Sequence, residues 1–465
     1  MSVDLVVKNG KIVTTEGIYE AGIAVDDGKI VAIARDPNLP QADKVIDAKG
    51  LPVMPGAIDP HVHLGLYNPF GDDVPDTTMV QAIGGLTTTM HSILDKRSFK
   101  VTIPELTEIA ANNAYIDVTF YGIVMTMQHI LELPAAFELG VTSFKHFTNR
   151  PEYEMLGILH PDNGEFYLSF EKIKELGGVA MVHCEDFEIA RKLTERLKAA
   201  GRKDGAAWND CRPDFCEQIK LWDMALMAKI TGCPVYVVHN SVATAKEVVD
   251  WARANDVTMY IETTPTYLHF TKTHKLGIMT KINPPVRTAG HAEGLWQGIK
   301  EGWVDCVGSD HCPVTRSRKV GQGDIWTAML AFPSSELLLP FMLSEGHNKR
   351  GIPLERIAEL TATKTAQIHG FPNKGAIRVG YDADLVIVDP KKQVRIDGKV
   401  LHYSSIRDFS LYEGEVFTGF PVTTICRGTV VAQDGECVGK RGYGKVIKRV
   451  PSTGPRKPTL TSLME

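Results

Sequence analysis

Two imidazoles at the end of a short apolar run are the first candidates for chemistry in this chain. The run Val53–Leu64, VMPGAIDPHVHL, closes on His61 and His63. On an extended strand, residues i and i+2 point to the same face. Both rings therefore aim at one point, and imidazole is the commonest protein metal ligand. Taken alone, the pair also fits two histidines that happen to alternate. More residues of the same kind end other apolar runs: Lys145 in VTSFKHF, His183 in VAMVHCE, His239 in VYVVHN and Asp310 in DCVGSDHC. Each has an ordinary explanation by itself: a satisfied core histidine, a lysine that reaches the surface, an aspartate that caps a turn. At the same end of neighbouring strands they read as one metal site, because buried charges need partners or metals.

Such a convergence requires parallel strands with adjacent ends. From Gly56 onward, apolar runs of strand length alternate with amphipathic helical stretches. The strands end near His63, Ile93, Val124, Phe147, Glu185, Asn240, Thr264 and His311. The helical stretches between them include Ile103–Tyr115, Phe170–Leu176, Phe187–Ala200, Phe215–Ile230, Ala243–Asn255 and Ala292–Glu301. Strands alternating with helices imply a parallel sheet. Eight repeats predict an α/β fold of the (β/α)8 TIM-like barrel type, in which functional residues sit at the C-terminal ends of the strands. A doubly wound open sheet is the alternative, but no GxGxxG follows the first strand.

The two chain ends have a different texture. Residues 1–54 read as short Val- and Ile-rich strands (Asp4–Val7, Lys11–Thr14, Gly22–Val25, Lys29–Ala34), with hairpin signals at Asn9-Gly10 and Asp27-Gly28. Strand texture returns over 374–450, in GAIRVGYDADLVIVD, in Val422–Val431 and in Cys437–Val438. Neither end can close a core alone, so both are expected to build one small β-sandwich domain beside a barrel spanning 55–373. Residues 451–465 read as a C-terminal tail.

Composition removes several function classes. A net charge of −5 without a long Lys/Arg run excludes a basic nucleic-acid surface. No stretch is apolar for the roughly 20 residues that a membrane helix needs, and the N-terminus MSVDLVVKNGK lacks a secretory h-region. The cysteines, at 184, 211, 216, 233, 306, 312, 426 and 437, form no CxxC pair. They fit free thiols in a cytoplasmic protein better than a disulfide framework or a zinc ribbon.

The motifs also carry a resemblance. PGAIDPHVHL, GVTSFK at 140–145, HCED at 183–186, VVHNS at 237–241, ETTPTYL at 262–268, NPPVR at 283–287 and GSDHCP at 308–313 resemble the amidohydrolase superfamily. Within it they are similar to the cyclic amidohydrolases of the hydantoinase, dihydropyrimidinase and allantoinase group. The segments KGAIRVGYDADLVIVDP and CRGTVVAQDGECVGKRGYGKVIKR extend the likeness over nearly the whole chain, and the latter resembles the hydantoinase and dihydropyrimidinase branch.

The resemblance implies a binuclear metal-dependent hydrolase that opens a small cyclic amide by attack of a hydroxide shared between two divalent ions. It implies that Lys145 is N6-carboxylated and bridges both ions. His61, His63 and Asp310 then hold one metal, and His183 and His239 the other. Asp310 is also the catalytic base and then acid. Zinc is favoured, and manganese, iron or cobalt suit the same donors. The resemblance implies a homo-oligomer, tetramer or dimer, with no organic cofactor.

Several positions depart from the family pattern. The loop after His63 is HLGLYNPFGDD, without the arginine of the dihydroorotase kind. Arg150 stands where hydantoinases place a tyrosine that polarises the carbonyl, and Tyr153 follows three residues later. Asn283 replaces a serine before the Pro-Pro pair, and Leu330 replaces an asparagine that binds the ring amide. Arg150, Tyr153, Asn283 and Leu330 are therefore the candidate substrate-binding residues. A ring other than a simple hydantoin is the expectation, because a site built to hydrogen-bond one group discriminates strongly. The alternatives are a different cyclic imide, a lactam or an allantoin-like ureide. A non-catalytic dihydropyrimidinase-like scaffold is disfavoured because all six ligand positions are filled.

Overall fold

The computed structural model of the chain describes residues 2–148 and 162–452. Arg150 and Tyr153 lie outside them. The chain opens with strands β1 (Val3–Thr14), β2 (Gly17–Asp26), β3 (Lys29–Ala34), β4 (Ala42–Asp47) and β5 (Pro52–Pro55). Eight parallel strands follow: β6 (Ala57–Val62), β7 (Leu86–Ile93), β8 (Asp117–Ile123), β9 (Ser143–Phe147), β10 (Val179–His183), β11 (Val235–Val237), β12 (Met259–Thr263) and β13 (Cys306–Val307). They neighbour one another in chain order, and a parallel bridge between Val62 and His311 returns the last to the first. The His63 amide donates to the His311 carbonyl at 2.7 Å across the same seam. This is the (β/α)8 barrel expected from the alternation.

The barrel strands are buried on both faces, which is why they read as nearly continuous apolar runs. Val118, Val182, Val237, Ile261 and Val307 belong to the large cluster under the helices, and Met90, Tyr121, Ile123, Met181 and Tyr236 to a second cluster. The helix Phe70–Ile83, not foreseen from the sequence, follows the loop after His63 and carries Asp72 and Asp73 in its first turn. Acidic residues there complement the exposed N–H groups of a helix start.

Both chain ends meet in one sheet. Strands β14 (Leu385–Arg395), β15 (Val416–Cys426), β16 (Thr429–Gln433) and β17 (Glu436–Cys437) extend the first five in the order β17-β16-β15-β14-β5-β1-β2-β3, with β4 on β1. Two readings of turns need correction. Asn9-Gly10 does not turn the chain. It is an irregularity within β1, where the pairing to β2 shifts between Val7 and Gly10 and Asn9 takes φ 56°. The dipeptide supplies left-handed backbone in either setting, so its presence alone cannot separate bulge from hairpin. Val422–Val431 is not one strand, because Arg427 (φ 44°) and Gly428 (φ 76°) fold it into a hairpin between β15 and β16. Asp27-Gly28 does turn β2 into β3, as expected.

The barrel end far from β-strand C-termini is tied to this sheet by a buried ionic network. Lys374 Nζ lies 2.7 Å from both Asp117 and Asp384 and 3.0 Å from Asp382, and Arg427 Nε lies 3.0 Å from Asp117. Burial alone would lower the Lys374 pKa, but Asp384 and Asp117 hold it well above its ordinary value. Seven of the eight cysteines are buried. No helix among the described residues is long and apolar enough to cross a membrane.

Candidate active site

At the C-terminal ends of the barrel strands, the residues picked out by type and spacing come together. His61 Nε2 lies 3.1 Å from His63 Nε2 and 3.0 Å from Lys145 Nζ. Asp310 Oδ1 is 3.3 Å from His63 Nε2 and 3.6 Å from His61 Nε2. On the other side of the cluster, His183 Nδ1 faces His239 Nε2 at 3.0 Å, and the His61 and His239 rings stack with centroids 5.2 Å apart. Lys145, His61 and His183 are wholly buried. Asp310 (φ 53°) and His239 (φ 41°) both carry left-handed backbone. That conformation is costly for a side-chain-bearing residue and persists where surrounding structure enforces it, often at functional sites.

The inward aim of two histidines is fixed from behind. Glu262 Oε1, at the end of β12, is 3.0 Å from His61 Nδ1, which leaves Nε2 facing the cluster. The same carboxylate accepts the His239 amide N–H at 2.8 Å and the Tyr236 hydroxyl at 2.8 Å. Gly308 is needed beside it, since a Cβ there would stand 2.9 Å from the Glu262 carboxylate. Glu185 Oε2 is 2.8 Å from His183 Nε2, which leaves Nδ1 facing the cluster. Asp59 joins the first strand to the last, accepting the Ser309 amide at 3.0 Å and the Ser335 hydroxyl at 2.7 Å. None of these carboxylates was singled out from the sequence. The available signal was an acidic residue inside the apolar run MYIET, and another two places after His183.

The electrostatics are those of a ligand set. Burial, reinforced by Lys145, holds His61 and His239 well below the ordinary imidazole range, so both are neutral. Burial also lowers Lys145 to about 8, against the opposing pull of Asp310 and Glu262. Burial raises Glu262 to about 7 despite its hydrogen bonds. Burial would raise Asp310 too, but His61, His63 and Lys145 outweigh it and keep the carboxyl below its ordinary value.

These donors fit divalent cations. Neutral imidazoles, with His61 and His183 oriented through the other ring nitrogen by a carboxylate, and an ionised aspartate are a usual environment of a catalytic metal. His61, His63 and Asp310 place one donor atom each within 4.8 Å of one another. A second buried group, Asp117, Asp384 and Cys426, has similar spacing but encloses the Lys374 ammonium and does not fit a cation.

Above the cluster opens a pocket with mostly apolar walls. Lys145, His63, His239 and Asp310 form its floor, and Leu66, Leu94, Ile123, Phe147 and Ile282 stand around it. Asn283 and Leu330 both line it, beside Tyr67, Cys312 and Ala331.

Glu262→Gln tests the orienting carboxylate. The amide keeps a carbonyl for His61 and can turn its NH2 toward the Tyr236 hydroxyl, so folding is expected to survive. Loss of the charge behind His61 is expected to weaken metal binding or turnover by roughly 10–100-fold, read by chelator competition.

Comparison with known proteins agrees with this geometry. A model of the amidohydrolase family matches residues 166–431. The chain is 33% identical to an L-hydantoinase of Paenarthrobacter aurescens, over 96% of this chain and 98% of that one. It is 35% identical to a D-hydantoinase of Geobacillus stearothermophilus, over 95% and 96%. A crystal structure of a D-hydantoinase superposes with a TM-score of 0.89 at 34% identity, covering 96% of this chain and 99% of the other. With a barrel, a histidine- and lysine-lined floor and this similarity along nearly its full length, the chain belongs to the amidohydrolase family, in its hydantoinase and dihydropyrimidinase branch.

Proposed function

We propose that this protein hydrolyses a C–N bond of a small cyclic amide, with two divalent ions held by His61, His63, Lys145, His183, His239 and Asp310. The observation that carries the reading is the convergence of these six side chains in one cluster, four of which (His63, Lys145, His239 and Asp310) form the pocket floor. His61, His63 and Asp310 would hold one ion, His183 and His239 the other, and a carboxylated Lys145 both. Zinc is the favoured metal, with manganese, iron or cobalt accepted by the same donors. Bound there, the ions supply Lewis acidity, lowering the pKa of water and polarising a carbonyl.

The chain's own residues do the rest. Asp310, ionised at neutral pH, accepts the proton of the attacking water and returns it to the departing amide nitrogen, so the ring opens to a carboxylate and a free amide or ureide end. Lys145, lowered by burial to about 8, is neutral in roughly a tenth of molecules at pH 7, far more often than an exposed lysine. Its nitrogen can then bond to the carbon of carbon dioxide and lose one proton, leaving a carbamate anion. The apolar walls hold the ring and keep out bulk water, which strengthens every charge interaction on the floor. Leu330 and Asn283 set ring choice, with Arg150 and Tyr153 proposed as further contacts. The proposal extends to a cytoplasmic homo-oligomer, tetramer or dimer.

Leu330 gives a second reading its basis. A side chain that cannot hydrogen-bond lines the pocket, so a cyclic imide, a lactam or an allantoin-like ureide competes with hydantoins and dihydropyrimidines. The test is metal analysis of the purified protein together with ring opening across hydantoin, 5-substituted hydantoins, dihydrouracil, allantoin, dihydroorotate, cyclic imides and lactams. Two metals per chain and turnover of a hydantoin or dihydropyrimidine support the first reading. Turnover confined to imides, lactams or allantoin supports the second. Near-zero metal with no turnover overturns both in favour of a non-catalytic scaffold.

A further inference from the structure

The short helix Arg316–Val320, beyond the last barrel strand, contains a lysine with unusual company. Lys319 is wholly buried, and its Nζ donates to the carbonyls of Lys281 at 2.7 Å and Met329 at 2.8 Å. Each carbonyl belongs to the residue just before a pocket wall, Ile282 in one case and Leu330 in the other. The Met329 amide returns a bond to the Lys319 carbonyl at 2.9 Å. The Ile282 carbonyl is held in turn by the Trp208 indole N–H at 2.9 Å. Next along the helix, Arg318 Nη1 reaches the Tyr67 carbonyl at 3.1 Å and Asn68 Oδ1 at 3.2 Å, on the loop that supplies Leu66 and Tyr67 to the same pocket.

No carboxylate among the described residues faces the Lys319 amine. Burial and the neighbouring Lys281 hold it well below the ordinary lysine range. A neutral amine carries two N–H bonds, the number that two carbonyls can take. The Phe332 ring lies on another side of the same Nζ, its centroid 5.8 Å away. A clip between loops with no bearing on the pocket would also use main-chain carbonyls, but it would have no reason to choose those flanking two separate walls.

We propose that the helix Arg316–Val320 sets the spacing of the pocket walls, with Lys319 as a positioning residue that fixes Ile282 and Leu330 and Arg318 as a lesser one that fixes Tyr67. This rests on reading the pocket as the place where the ring is held. Hydrogen exchange of the metal-loaded enzyme tests the clamp without any substrate. Lys319→Met is expected to raise exchange at 281–283 and 328–331 while leaving the barrel strands and the metal content as in wild type. On the best ring found, KM is expected to rise about tenfold with kcat changed by less than about threefold, because positioning is lost and the reacting groups are kept. Lys319→Gln retains two N–H donors on a shorter stem and is expected to lie between the two. Arg318→Ala, on the surface, is expected to raise exchange at 65–68 only.

Unchanged exchange at 281–283 and 328–331 overturns the proposal. So does a uniform rise over the whole barrel, or a fall in kcat that follows metal loss. If Lys319→Met does not fold, Lys319→Gln carries the same test with the same overturning results, and unchanged exchange at 65–68 in Arg318→Ala overturns the lesser role given to Arg318. Local exchange changes without turnover of any ring would uphold the clamp and count against the function proposed above.

Discussion

Lys145→Ala is expected to reduce ring opening by at least roughly 10³-fold and to lower the bound metal from two ions per chain toward none or one. Lys145 is the residue from which both halves of the donor cluster are reached. It sits 3.0 Å from His61 Nε2, while His183 and His239 pair across from it and feel its charge. As an ammonium it would repel cations from the floor. As a carbamate it would present two oxygens and a negative charge to them. Alanine supplies neither and leaves a void among side chains that are otherwise fully buried. Two measurements separate loss of the ligand from loss of the fold. Circular dichroism is expected to be unchanged, because the β9 ladder is made by backbone groups. Adding a small carboxylate such as acetate or propionate is expected to restore part of the metal content and turnover, since it can occupy the void with the missing charge. Full turnover by Lys145→Ala with two metals bound would sink the bridging role.

Legibility of the sequence divided along a physical line. The barrel was readable because its strands are buried on both faces and alternate with helices, so each strand stands out as an apolar run, and polar residues at the run ends become conspicuous. His61, His63, Lys145, His183, His239 and Asp310 are conspicuous for that reason, and they do meet. Glu262 and Glu185 were not, because an orienting carboxylate is defined by the ring nitrogen it faces, and the His61–Glu262 pairing spans 201 residues. Periodicity carries no information about that distance. Asn9-Gly10 shows the same limit in the backbone. The dipeptide states that left-handed geometry is affordable, and only the partner strand decides whether the chain turns or bulges. Lys319 lies in SRKVGQG, a polar stretch that reads as surface. It is buried against Lys281, Met329 and Phe332, which arrive from other stretches of the chain that no local pattern announces. Leu330 and Asn283 were legible as departures from a family pattern, and both line the pocket. What ring they select depends on shape, which sequence comparison does not convey.

Asp310→Asn is expected to lower kcat by roughly 10²–10⁴-fold while leaving most of the metal in place and KM little changed. The substitution keeps the size of the side chain and a carbonyl oxygen that can still face His63 and His61, so one donor atom survives. The amide cannot accept a proton under working conditions, and it cannot return one to a leaving nitrogen. The positive φ of Asp310 also favours the change structurally, because asparagine tolerates left-handed backbone as well as aspartate does. A leaving-group series distinguishes the two tasks assigned to this carboxyl. If Asp310 both takes and returns the proton, rings whose departing nitrogen is weakly basic are expected to suffer least, since they leave with the least help from an acid. If metal content falls in step with kcat instead, Asp310 acts only as a ligand and the proton must travel through another group. Among the described residues lining the pocket, no other carboxylate is present to carry it, so a metal-replete Asp310→Asn enzyme that retained wild-type kcat would require a proton carrier brought by the substrate or by solvent.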